Sequence, residues 1–170
     1  MEKYPLTDAD IQHVLGGTKI HKYPELAGKP LESLFDAKGR CAILFLVKDA
    51  SCGHWICMTR QAGHIEVFDS FGVAVDGERR WIDKRKLVDL HEVAPLLGNL
   101  LSGFERAGGR VVHNATKLQR DDKDTCGDHV CCRLLHRDMP LRAYVRYLKS
   151  QGGTPDDAVA REIGRLMGRC

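Results

Sequence analysis

A thiol, an imidazole, a carboxylate and a primary amide stand along this chain in the order His54, Asp69, Gln119, Cys126. Those side chains are the working parts of a cysteine hydrolase: base, orienting acid, oxyanion donor and nucleophile. Cys126 follows Asp124-Thr125 and precedes Gly127, where the sequence starts a helix. There the unpaired backbone N–H groups and the helix dipole favour a thiolate. Gly127 leaves room for a substrate backbone to approach. Cys131 and Cys132, deeper in the same helix, fit a packing role better.

His54, within Gly53-His54-Trp55, is the expected base, and Trp55 the expected aromatic lining the site. His129 lies only three residues beyond Cys126, but a partner on the same helix faces the thiol poorly for proton transfer. Asp69, within Phe68-Asp69-Ser70-Phe71-Gly72, ends the strand that follows the strand of His54. Neighbouring strands can bring two such side chains together, and a carboxylate there fixes the imidazole tautomer and stabilises its cation. Asp49 and Asp76 are rivals in loop-like sequence. Gln119, seven residues before Cys126, offers an amide that could join the backbone N–H of Cys126 in an oxyanion hole. Each residue taken singly has a plainer reading as a packed or solvated side chain; their joint order is the signal.

The elements that must position them follow from periodicity. Thr7-Asp8 caps a short helix that Gly16-Gly17 ends. Strand patterns run over Cys41–Val47, His54–Thr59 and His64–Phe68, with short turns between them, and predict an antiparallel meander. Helical spacing covers Arg79–Leu90 and Val93–Phe104, and Arg110–Ala115 reads as a fourth strand. Thr125 or Asp124 caps a helix from Cys126 to about His136. Pro140 opens another to about Lys149, and Pro155 a last one to about Met167. No internal repeat or linker interrupts residues 1–170, so one α+β domain is expected.

Composition narrows the class. The chain has 170 residues, 43% of them hydrophobic and 29% charged, enough for one domain with a core. No apolar run reaches membrane-span length, and Met1-Glu2-Lys3-Tyr4-Pro5 carries no secretory signal, so secretion and membrane insertion are not expected. The seven cysteines include no C-x-x-C pair, which argues against a zinc ribbon and for buried free thiols. A net charge of +3 is no nucleic-acid signature by itself. A denser patch of Arg79, Arg80, Lys84, Arg85 and Lys86 leaves DNA contact open beside a plain solvated face. Cys52, His54 and Cys57 could be offered as metal ligands, but a strand alternates faces and would point Cys57 away from His54.

Gly53-His54-Trp55, Val67-Phe68-Asp69-Ser70-Phe71-Gly72, Gln119 and Cys126-Gly127 together resemble the adenovirus-type processing proteases (adenains) and their relatives, the SUMO- and ubiquitin-like-protein proteases. The run Cys126-Gly127-Asp128-His129-Val130-Cys131-Cys132-Arg133-Leu134-Leu135-His136 is especially similar to the adenoviral form. The resemblance covers roughly residues 40 to 136. It implies a papain-like cysteine protease fold in permuted order, with a central mixed β-sheet flanked by helices. It implies His54 as base, Asp69 as orienter, Gln119 as oxyanion donor and Cys126 as nucleophile, with Trp55 and Gly127 beside the substrate. Adenoviral enzymes carry Glu where this chain has Asp69. The implied activity is a viral maturation endopeptidase that trims capsid or core precursors, in the virion and in the host cytoplasm or nucleus. No cofactor is required on that reading, although viral DNA or a peptide activator is a family property. The implied alternatives are an isopeptidase of ubiquitin-like modifiers and an effector acyltransferase using acetyl-CoA. A DNA- or metal-binding structural module is the non-enzymatic alternative.

Overall fold

The computed structural model describes residues 5–47 and 53–169, so Asp49, Cys52 and the turn around them lie outside it. The fold is α+β, built on a five-stranded mixed open sheet flanked by helices. Strand order follows sequence order: β1 (Lys19–Lys22), β2 (Arg40–Leu46), β3 (Gly53–Gln61), β4 (His64–Phe68) and β5 (Arg110–His113). The expected meander forms β2–β4, antiparallel throughout, and the two edge strands pair parallel to it. The sequence reading lacks β1, because a four-residue Lys-Ile-His-Lys strand has the polar character of a sheet edge and too few apolar positions to show a period.

Side-chain alternation sorts the central strands cleanly. Ala42, Leu44, Leu46, Trp55, Cys57 and Phe68 pack on one face with Val130, Tyr144 and Val159. These come from α4 (Cys126–Leu135), α5 (Leu141–Ser150) and α6 (Pro155–Leu166). The helix α1 (Asp8–Leu15) adds Ile11 and Leu15 to the same face. Cys41, Ile43, Phe45, Ile56, Met58, Ile65 and Val67 face the other way, against Leu97 and Leu101 of α3 (Leu96–Arg106) and two short 3-10 turns. Covered on both sides, β2 is buried along its whole length, which is why its sequence reads as a continuous apolar run.

Three expected boundaries move. The helix anticipated over Arg79–Leu90 is two pieces, a 3-10 turn at Gly77–Trp81 and α2 (Lys84–Asp89), separated by extended Ile82 and by Asp83, whose carboxylate caps α2. Pro95 caps α3; the residue before a proline avoids the helical region, so the helix cannot reach back to Val93. The fourth strand stops at His113 because the Asn114 side chain accepts from Thr116 N at 3.0 Å and turns the chain. Gly16, Gly17, Gly108, Gly152 and Gly153 all have positive φ, as expected of helix stops and turns.

Candidate active site

His54 is the second residue of β3 and Asp69 the residue just past β4. Register brings them together. Cys57 pairs with Phe68, so one step further along the ladder sets Ile56 beside Asp69 and makes His54 its diagonal neighbour on the same face. Gly53 begins the strand without a side chain because a Cβ there would collide with the Phe45 carbonyl on β2. The His54 Nε2 lies 3.0 Å from Asp69 Oδ2, and both side chains are buried. Asp69 Oδ1 accepts from Phe71 N at 2.6 Å, and the Asp69 carbonyl accepts from Asn114 Nδ2 at 2.7 Å. The carboxylate is thereby locked from both ends.

With Nε2 given to Asp69, the other ring nitrogen of His54 is left for the Cys126 thiol, whose interaction with the ring favours its protonated form. Burial alone would lower the imidazole pKa, but the hydrogen bonds and charges of Asp69 and Cys126 override it and push it up to about 10. Burial likewise opposes ionisation of Asp69, yet its hydrogen bonds, first from His54, leave its pKa below the ordinary value. Both neighbours favour the protonated imidazole.

Cys126 opens α4 with Thr125 as N-cap. The Thr125 hydroxyl does not cap the helix; it donates to Asp156 Oδ1 of α6. Asp156 also accepts from Arg120 N at 3.0 Å and from His129 Nε2 at 3.1 Å. His129 is therefore a fully buried tie between α4 and α6, with its Nε2 taken by Asp156. The other described cysteines are free and buried. Burial pushes the Cys41 thiol up to about 12, and those of Cys57, Cys131 and Cys132 upward as well. They are packing residues, as the sequence reading holds.

Gln119 is only 3% exposed, which rules out a freely solvated amide. Its Oε1 accepts from Ser70 Oγ at 2.6 Å and its Nε2 donates to Lys123 O at 2.6 Å, while Leu118 N and Gln119 N both donate to Ser70 O. The turn that carries Asp69 thus also carries Gln119. A primary amide has two N–H bonds, so one remains for a further acceptor. A shallow hollow lined by Lys117, Gln119, Arg120 and Asp122 opens alongside.

Two expected lining residues take other positions. Trp55 alternates to the opposite face from His54, is 3% exposed, and donates Nε1–H to Leu6 O at 3.0 Å. It belongs to the core under Cys126. The place by Gly127 is filled by the chain itself, since a Cβ there would sit 2.7 Å from Leu6 Cβ. Gly127→Ala is expected to destabilise the fold by about 1–3 kcal/mol through overpacking against the Leu6 Cβ, measurable by urea unfolding.

The aromatic residues at His54 are Phe71 and Trp81, with ring centroids 5.2 and 5.5 Å from the imidazole. Trp81, 47% exposed, is the large apolar surface presented there. Its signal is faint in sequence, where it sits inside the basic cluster. That cluster is split. Arg79 turns its guanidinium to the carbonyls of Glu92 and Val93, while Arg80, Lys84, Arg85 and Lys86 are exposed. The rival Asp76 is occupied elsewhere: it accepts from Tyr23 OH at 2.6 Å and from Gly98 N at 2.7 Å.

His54 and Cys57 point to opposite faces of β3, as strand alternation requires, so they do not share a metal site. A different donor trio, Cys132, His136 and Glu162, lies at the other end of α4 with its atoms within 4.8 Å of one another. Its members already bond one another, with His136 Nε2 2.6 Å from Glu162 Oε1 and Cys132 Sγ 3.3 Å from Oε2. Among the described residues, no helix is long and apolar enough to cross a membrane. No family model matches this chain, and no curated protein matches it.

Proposed function

We propose that this protein is a cysteine hydrolase of papain-like, permuted architecture that cleaves peptide bonds, with Cys126 as nucleophile, His54 as acid–base, Asp69 as orienter and Gln119 as oxyanion donor. The observation that carries the reading is the buried His54 imidazole, held between Asp69 and a cysteine at the start of α4. The Cys126 sulfur, as thiolate, attacks the scissile carbonyl carbon and forms a C–S bond. The carbonyl oxygen takes up the negative charge, facing the free N–H of Gln119 and the backbone N–H of Cys126. Collapse of this intermediate breaks the C–N bond, and the His54 proton goes to the leaving amine. Water, deprotonated by the imidazole, then hydrolyses the thioester and restores the thiol–imidazole pair. Asp69 keeps the ring in one tautomer throughout.

The substrate class we infer is a protein chain, of the kind trimmed in viral capsid or core maturation, acting in the virion or the host cytoplasm or nucleus. No cofactor takes part in these steps. DNA held by Arg80, Lys84, Arg85 and Lys86, all exposed beside Trp81, is the activator that fits the surface charge. The test is a substrate panel: structural precursors, ubiquitin-like proteins bearing C-terminal vinyl sulfones, and acetyl-CoA with a lysine peptide. Cleavage of a precursor that stops with Cys126→Ala supports the endopeptidase. Labelling by the modifier probes alone favours the isopeptidase, and acetyl transfer alone overturns hydrolysis. Gln119→Ala is expected to lower turnover on the order of 100- to 1,000-fold with little change in KM, read from initial rates.

A further inference from the structure

We propose that Glu78 is a positioning residue of this site: a buried, proton-bearing carboxyl group that donates a hydrogen bond to Asp69 and so holds it ionised and aimed at His54. The proposal rests on the reading of His54, Asp69 and Cys126 as the reacting centre. Glu78 is 1% exposed, and a glutamate is seldom so deeply buried without a partner. Its carboxyl group and that of Asp69 hydrogen-bond each other. Two ionised carboxylates cannot do so, since both are acceptors only. Counted as an ionised acceptor, Glu78 Oε2 has no donor. Carrying the proton, the same carboxyl becomes the donor and Asp69 the acceptor.

The local chain is built to send this side chain inward. Asp76, at φ 62°, holds a left-handed conformation unusual for a non-glycine residue. It is pinned there by Tyr23 OH and by Gly98 N of α3. Gly77 must lack a Cβ because Val73 fills that space. The 3-10 turn that follows buries Glu78 and lays Trp81 against His54. Glu78 thus interacts with Asp69 while Trp81, three residues on, packs edge-on against the imidazole that Asp69 bonds. Among the described residues, the charged groups acting on Glu78 are Asp69 past β4 and His54 on β3. Arg79, next in the chain, turns away to the Glu92 and Val93 carbonyls.

The proton's residence agrees with this geometry. Burial, then the Asp69 hydrogen bond and charge, push the Glu78 pKa up to about 9. A carboxyl raised in the folded state binds more protons there than in the unfolded chain at every pH between its ordinary value and the raised one. Its contribution to stability therefore falls as pH rises across that window, from 4.5 to about 9.

The experiment compares wild type, Glu78→Gln and Glu78→Ala. Melting temperature is followed from pH 5 to 9, and alkylation of Cys126 by iodoacetamide is resolved by peptide mass spectrometry. The expected result is that Glu78→Gln flattens the decline in stability with pH. Glu78→Ala is expected to slow alkylation roughly tenfold or more through loss of a charge-assisted hydrogen bond, and Glu78→Gln, still a donor, to recover most of that loss. An unchanged stability slope in Glu78→Gln, or alkylation as slow as in Glu78→Ala, overturns the proposal. If wild-type Cys126 reacts no faster than glutathione at pH 7, the reading of the catalytic site falls and takes the positioning role with it. The slope then still reports separately whether the proton is shared.

Discussion

Cys126→Ala is expected to abolish turnover, by about 10⁴-fold or more, while leaving the fold intact. The structural cost is small because a buried thiol becomes a slightly smaller apolar group in a core of Trp55, Leu6 and Val130. Loss of one to two degrees in melting temperature with full loss of cleavage is the expected pair of results. The same variant reports on the imidazole. His54 loses one of the two neighbours that hold its proton, so its pKa, read by NMR titration of the ring, should drop from about 10 toward 6.5. A group raised in the folded state adds stability below its unfolded value and loses it as pH rises through its folded value. The alkaline loss of stability due to His54 should therefore be smaller in Cys126→Ala and end at lower pH. A His54 titration identical in the two proteins would show that the thiol and the imidazole do not interact.

Arg133→Met is expected to be the most damaging substitution away from the site, costing about 3–5 kcal/mol. Arg133 is 1% exposed and bolts α4 to the sheet. Its Nε and one terminal nitrogen donate to the two oxygens of Glu66 on β4, at 2.7 and 3.0 Å. The remaining donors reach His136 O at 2.7 Å and Met139 O at 2.9 Å, and the guanidinium lies 4.8 Å from the Tyr144 ring. Removing it strands a carboxylate and two carbonyls in the interior. Adding Glu66→Gln to Arg133→Met should recover much of the loss, because the cost of breaking the pair lies in the charge left behind. Urea unfolding of the four proteins of this cycle measures it. The result bears on function, since α4 also carries Cys126.

The sequence made the meander, α1, α4, α5 and α6 legible for one reason: each has a strong local signal. Alternation or continuous apolarity marks β2–β4, and Thr7, Pro140 and Pro155 mark helix starts. The pairing of His54 with Asp69 was accessible too, because short turns between successive strands restrict the register. Preference for His54 over His129 also rested on local geometry, and Asp156 now accounts for His129.

Other features depend on residues distant in sequence. Trp55 reads as a lining residue until α4 covers its face of the sheet; Trp81 reads as part of a basic helix until Asp83 breaks that helix. Gly127 suggests space for a substrate until Leu6, more than a hundred positions earlier, occupies it. Glu78 carries no motif at all, and its environment comes from Asp69 beyond β4 and from the Tyr23 and Gly98 contacts that pin Asp76.

By itself the sequence determined most of the elements, the antiparallel core of the sheet and the chain order of His54, Asp69, Gln119 and Cys126. Those follow from periodicity, capping and side-chain type, which act over a few residues. Only the tertiary structure decided which groups share a buried space: the imidazole against Asp69, the amide hooked to Ser70, and the Glu78 carboxyl interacting with that of Asp69. Burial and proton sharing arise from chain segments that meet only on folding, and a side chain's charge state follows from that company.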